Sequence, residues 1–110
     1  MSQDAIFKAL AHKGRRMLLD HLVKANRATL NELCETLPMS RQAVSKHLRI
    51  LEKANLIGIK WRGREKLHYL NSAPIQAIYS RWMRKYQAHY SRELEELKIN
   101  LESKKRKKET

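Results

Sequence analysis

Residues 29–51 read TLNELCETLPMSRQAVSKHLRIL, and the spacing of their apolar side chains decides the fold. Thr29 stands three residues before Glu32, the arrangement in which a hydroxyl and a carboxylate reciprocally satisfy free N–H groups at a helix start. Leu30, Leu33 and Leu37 then fall on one face. Pro38, which has no N–H, stops that helix. Ser40 is a good N-cap for a second helix running to about Ala54. At about 100° per residue, Val44, Leu48 and Leu51 form its core stripe, and Gln42, Ser45, Lys46, Arg49 and Lys53 turn outward together.

Two short amphipathic helices around a tight turn, the second basic outside, are the pattern of a helix-turn-helix. The outward set is what a DNA major groove needs. Gln pairs bidentately with adenine, Arg or Lys with guanine, Ser with several base edges, and the helix N-terminus favours a phosphate. Most polar outer faces are merely solvated. This one carries three cations, with Glu52 the one acid at its margin, which favours a polyanionic partner.

Composition points the same way. The 24 Lys and Arg against 11 Asp and Glu give a net charge of +13, which suits nucleic acid better than acidic metabolites. At 110 residues the chain holds one compact core and is too short for a two-domain enzyme with its own large cleft. No apolar run is long enough to span a membrane, and MSQDAIFKAL lacks the apolar stretch of a signal peptide. The expectation is a cytoplasmic protein with no membrane association. A single cysteine, Cys34, excludes an internal disulfide framework. No Gly-rich phosphate loop or nucleophile elbow occurs. His12, His21, His47, His68 and His89 are scattered without a paired acid in catalytic spacing, so an enzyme is not expected.

Upstream, Asp4 to Ala11 and Lys13 or Gly14 to Ala25 have helical spacing, with Asn26-Arg27-Ala28 as a connector. His21 reads as a partly buried, hydrogen-bonded histidine. Beyond Ala54 the period changes to two, with Ile57, Ile59 and Trp61 alternating against Gly58, Lys60 and Arg62. Gly63 marks a turn, and Lys66 to Leu70 is the return strand. The fold class expected is mostly α with a small β-hairpin wing: a winged helix-turn-helix, ααααββα, with a long C-terminal helix. Lys60, Arg62, Arg64 and Lys66 suit a wing that grips phosphates or the minor groove.

From Pro74 the chain has no further Gly or Pro and predicts one long helix. Ile75, Ile78, Tyr79, Trp82, Tyr86, Tyr90, Leu94, Leu97 and Leu101 form an apolar stripe. Folding back on its own domain would cover Ile75 to Trp82 but hardly Leu94 to Leu101. A second copy of the helix in a two-fold dimer covers the rest. The expected organisation is a DNA-binding domain over 1–73, a dimerisation helix over 74–103 in the same compact domain, and a basic disordered tail over 104–110. That tail is equally a solubilising end or an extra non-specific contact to DNA.

The strings FKALAHKGRRMLLDHL, MSRQAVSKHLRILEKANLI and GREKLHYLN resemble the ArsR/SmtB family of bacterial winged helix-turn-helix repressors. The resemblance covers residues 5 to 72 closely, and SRQAVSKHLRIL is its most specific part. It implies a homodimer, paired through first and last helices, that binds an imperfect palindrome in an operator and is released by an inducer. Carried over by motif, Ser40, Arg41, Gln42, Ser45, Lys46, His47 and Arg49 are the recognition-helix contacts, and Arg62, Arg64 and Lys66 those of the wing. His47 lies at the edge of the core face, where buttressing the helix and touching a phosphate both remain open. Ile6, Ile75, Tyr79, Trp82, Tyr86, Tyr90, Leu94 and Leu97 are the expected pairing residues.

Departures from the family concern metals. Thr36 stands where the metalloid-binding ELCxC pattern has its second cysteine, and one thiolate cannot make a three-sulfur site. Cys34 reads as a buried structural residue beside the leucine stripe. His89 and Glu93 are four apart but supply only two donors. No metal and no cofactor is expected. His12-Lys13-Gly14 replaces the usual Asp-Pro-Thr before the paired arginines. The leading reading is a dimeric, sequence-specific regulator, most simply a repressor. The alternative is a winged-helix protein-interaction module that docks through its long helix, which the basic outer face of residues 42–53 disfavours.

Overall fold

The computed structural model describes residues 3–109. In chain order the elements are α1 (Gln3–Leu10), α2 (Lys13–Ala25), β1 (Arg27–Ala28), α3 (Leu30–Thr36), α4 (Arg41–Lys53), β2 (Ile57–Arg62), β3 (Glu65–Leu70) and α5 (Ala73–Glu109). The chain divides into one unit ending at Gln76 and another beginning at Ala77. The boundary therefore falls inside α5.

The predicted caps form. Thr29 Oγ1 accepts from the Glu32 N–H at 3.2 Å, and Ser40 Oγ accepts from the Ala43 N–H at 3.1 Å. Asn26 and Asn55 follow α2 and α4 with φ of 69° and 61°, positive values that asparagine adopts more readily than most residues.

Packed inside the first unit are Ile6 and Ala9 of α1, Leu18, Leu19 and Leu22 of α2, Leu33 of α3, Val44, Leu48 and Leu51 of α4, and Leu56, Ile57 and Leu67 beyond it. Each such leucine contributes roughly 1.5–3 kcal/mol by leaving water. Ile6 is only 6% exposed, so it is a core residue of its own unit and not the pairing residue the resemblance implied. The large exposed apolar residue of α1 is Phe7.

The sheet has the order β1-β3-β2, all antiparallel. β1 was expected to be only a connector. It pairs Arg27 with Tyr69 and Ala28 with His68, which ties the start of the helix-turn-helix to the return strand of the hairpin. The hairpin turns through Gly63, whose φ is 62°, at the first position of a two-residue tip where glycine is favoured. The half-exposed alternation expected of β2 holds at its base and fades outward: Ile57 is buried, Ile59 half-buried and Trp61 exposed.

Described by itself, the second unit is one helix. α5 has 37 residues, about 55 Å at ~1.5 Å per residue. Its stripe is open, from 43% exposure at Trp82 to 63% at Tyr79 and Tyr90, with Tyr86, Leu94, Leu97 and Leu101 between those values. Trp82 and Tyr86 stack with ring centroids 6.1 Å apart. α5 is helical to Glu109, through residues 104–109 of the basic end. Lysine, arginine and glutamate are good helix formers, and no Gly or Pro interrupts them. Residue 110 lies outside the described residues.

Candidate nucleic-acid interface

α4 is held from three sides. Val44, His47, Leu48 and Leu51 are its buried residues, and Gln42, Lys46, Arg49 and Lys53 are exposed, with Ser45 half-buried. Ser40, the cap, keeps its own O–H free to donate after its oxygen accepts from Ala43. Arg41 donates to Asn31 Oδ1 through Nη1 at 2.8 Å and also through Nη2. This exposed bridge links the start of α4 to α3.

His47 is 8% exposed, within the core face rather than at its edge, and of the two open roles the structure supports the buttress. Its ring centroid lies 4.4 Å from that of His12, and Arg15 Nη1 is 3.4 Å from its Nδ1. A Cβ on Gly14 would come within 3.1 Å of His47 Nε2 and 3.0 Å of Met39 Sδ, so glycine is what lets the start of α2 approach the recognition helix this closely. Burial, and after it the charges of His12, Arg15 and Lys46, push the pKa of His47 below the ordinary histidine value.

Three further residues of this scaffold escaped the sequence reading. His12 Nδ1 accepts from the Gly14 N–H at 2.9 Å, so a histidine caps α2. Arg15 donates from Nε to Ala9 O at 2.7 Å and from Nη2 to Lys8 O at 3.2 Å, while Arg16 Nη1 donates to Leu10 O at 2.7 Å. Those are carbonyls at the end of α1, which lack helical partners. The signal was the adjacent Arg pair six residues after the last turn of a short helix.

In the wing, Arg62 donates to Glu65 at 3.0 Å, an exposed pair of the kind worth ~0–1 kcal/mol. Lys60, Arg64 and Lys66 are exposed. A concavity of about 390 Å³ between α4 and β3 is lined by Leu30, Ser45, Leu48, Arg49, Glu52, Lys66 and His68. A second, of about 370 Å³, joins Arg64 and Lys66 to Thr29, Asn31 and Glu32 of the α3 start. Ser45, Arg49 and Lys66 thus converge on one hollow, and Arg64 with Lys66 on the next. Gln42 and Lys46 line neither.

His68 closes the base of this hollow. It is buried, and its Nδ1 lies 3.1 Å from the Ala28 carbonyl, which assigns a proton to Nδ1 as donor. Burial lowers its pKa most and Lys66 adds to that, against the opposing pull of the Ala28 bond and Glu52. Cys34 is a half-buried free thiol on α3. On α5, His89 Nε2 and Glu93 Oε1 are 2.9 Å apart. Among the described residues no group of three or more His, Cys, Asp or Glu is placed to hold a metal ion. No helix among them is long and apolar enough to cross a membrane.

A capped, cationic helix braced on a three-helix core, with a basic hairpin beside it, defines a winged helix-turn-helix DNA-binding domain. Residues 10–57 match the family described as "Helix-turn-helix domain". The chain is 38% identical over 88 residues to the uncharacterized HTH-type transcriptional regulator YuzN of Bacillus subtilis, covering 74% of this chain and 96% of that protein. It is 32% identical over 78 residues to the transcriptional repressor SdpR of the same organism, covering 71% and 84%. Among solved structures, an ArsR-like transcriptional regulator from Rhodococcus sp. RHA1 superposes with a TM-score of 0.71 at 29% identity, covering 87% of this chain and 89% of that one. The chain belongs to the ArsR-type family of winged helix-turn-helix transcriptional regulators. It is a non-enzymatic regulator with a helix-turn-helix DNA-binding domain.

Proposed function

We propose that the protein is a homodimeric repressor that binds a two-fold-symmetric operator in the cytoplasm. The observation that carries this reading is the convergence of Ser45 and Arg49 of α4 with Lys66 of the wing on one hollow. A duplex seated there meets base-reading groups and phosphate-binding groups at once. Gln42, Lys46 and Arg49 face the base edges, Ser40 and Arg41 lie at the helix start that favours phosphate, and Arg62, Arg64 and Lys66 hold the flanking backbone. His47 supports α4 from behind. The open stripe of α5, from Tyr79 to Leu97, supports pairing with a second copy, and the similarity to SdpR supports repression.

The test is selection of bound fragments from the host genome, followed by footprinting. The expected footprint is two half-sites related by two-fold symmetry and centred roughly 10 bp, or a small multiple of it, apart. A single asymmetric half-site occupied by a monomer would overturn the dimeric reading.

A further inference from the structure

Strand alternation puts Ile57, Ile59 and Trp61 on one face of the sheet, and the register sets them opposite Leu70, His68 and Lys66. That face looks toward the recognition helix, because Lys66 and His68 line the same hollow as Ser45, Leu48 and Arg49. Exposure climbs along it from 2% at Ile57 to 62% at Trp61. The largest side chain of the hairpin therefore stands in solvent, past the end of the core, on the side of α4. Lys66 lies opposite it on the same face and Arg64 stands at the hairpin tip, both exposed, while Lys60 and Arg62 flank it in sequence on the other face.

An exposed indole contributes little to folding the hairpin, and the cation opposite it in register, Lys66, with Arg64 at the tip disfavours an apolar or basic protein as its cover. Duplex DNA offers the complement: phosphates for the cations and, between them, apolar sugar faces. Apolar side chains placed in grooves are a recurrent means of gripping DNA without reading its hydrogen-bonding edges. We propose that Trp61 is a DNA-contacting residue, its indole packed against the deoxyribose wall of the groove beside the half-site, with Arg64 and Lys66 on the neighbouring phosphates. The inference rests on the DNA-binding reading of α4 and the wing. It adds a contact whose contribution does not come from charge.

That difference is measurable, because neutralising a phosphate releases counterions and an apolar contact does not. Affinity for a duplex selected by the wild-type protein is measured across a salt series. Trp61→Ala should weaken binding about tenfold at every salt concentration with an unchanged slope, and Trp61→Phe should recover most of the loss. Lys66→Ala should lower the slope by about one. In Trp82→Phe, Trp61 is the sole tryptophan left. Its emission should shift on adding duplex and become protected from acrylamide.

Unchanged affinity in Trp61→Ala, a loss that vanishes with salt as a cation's does, or emission indifferent to duplex would each overturn the proposal. So would a change in the sedimentation of the free protein without loss of DNA affinity, which would mean that protein covers the indole. Failure of the wild-type protein to prefer any duplex over a charge-matched control's background would remove the parent reading, and this contact with it. That result is distinct from a wild type that binds and a Trp61 variant that binds equally.

Discussion

Gln42 and Arg49 differ from Arg64 in what they can reach. The first two stand on the exposed side of a helix whose far side is buried, and the third at a hairpin tip. Gln42→Ala and Arg49→Ala should each lower operator affinity by on the order of 1–3 kcal/mol and relax preference at one position. Arg64→Ala should weaken operator and random duplex alike. Parallel titrations on both duplexes check this, and equal losses for the two kinds of variant would remove base reading from α4. The buried histidines set a pH dependence of stability. Both His47 and His68 have pKa values below the ordinary 6.5, so between that value and the lowered ones the unfolded chain binds more protons and stability rises with pH. Unfolding midpoints in urea should thus be highest at neutral pH and fall as pH drops through about 6.5, and His68→Gln should flatten part of the fall.

Helix caps were legible at the scale of the element because they are local: Thr29 and Ser40 announce α3 and α4 from within four residues. Ser40→Ala should destabilise the domain by about 1 kcal/mol, read as a lower thermal midpoint with helical content otherwise kept. It would also remove a hydroxyl from the proposed phosphate contact, so affinity should fall beyond what unfolding explains. β1 was not legible, since two residues, Arg27 and Ala28, carry no period and become a strand only through β3. Trp61 misled for a related reason: alternation assigns a side chain to a face, but whether the core extends under it depends on where the helices end. Ile6 fits the same account, as helical spacing marks a residue as apolar-facing without saying whether its own unit or a partner covers it.

For the whole molecule, the proposed dimer depends on an apolar stripe spread over many turns. Leu97→Glu places a carboxylate in that stripe, beyond the winged unit. It should yield a folded monomer by sedimentation, with operator affinity lost far more than random-duplex affinity. A dimer that persists unchanged would move pairing elsewhere, Phe7 being the large exposed apolar residue on α1. Zinc, cadmium and arsenite should leave operator affinity unchanged in the same assay. Cys34 is a lone thiol, and His89 already has Glu93 as its partner on the same helix. Stoichiometric zinc uptake abolished by His89→Ala, with loss of DNA binding on metal addition, would instead identify a sensor.

The pairing of Arg62 with Glu65 at the hairpin tip bears on how the wing discriminates before any base is read. From a distance the two charges cancel, and the long-range pull of the hairpin on a duplex comes from Lys60, Arg64 and Lys66. Glu65 engages one guanidinium nitrogen, Nη2, so in the proposed complex a phosphate would meet the remaining N–H groups of Arg62 on a side chain whose charge is already partly offset. On that proposal the first, loose encounters with a duplex would be governed mainly by Lys60, Arg64 and Lys66, with Arg62 adding its contacts at close range for the small cost of a surface ion pair.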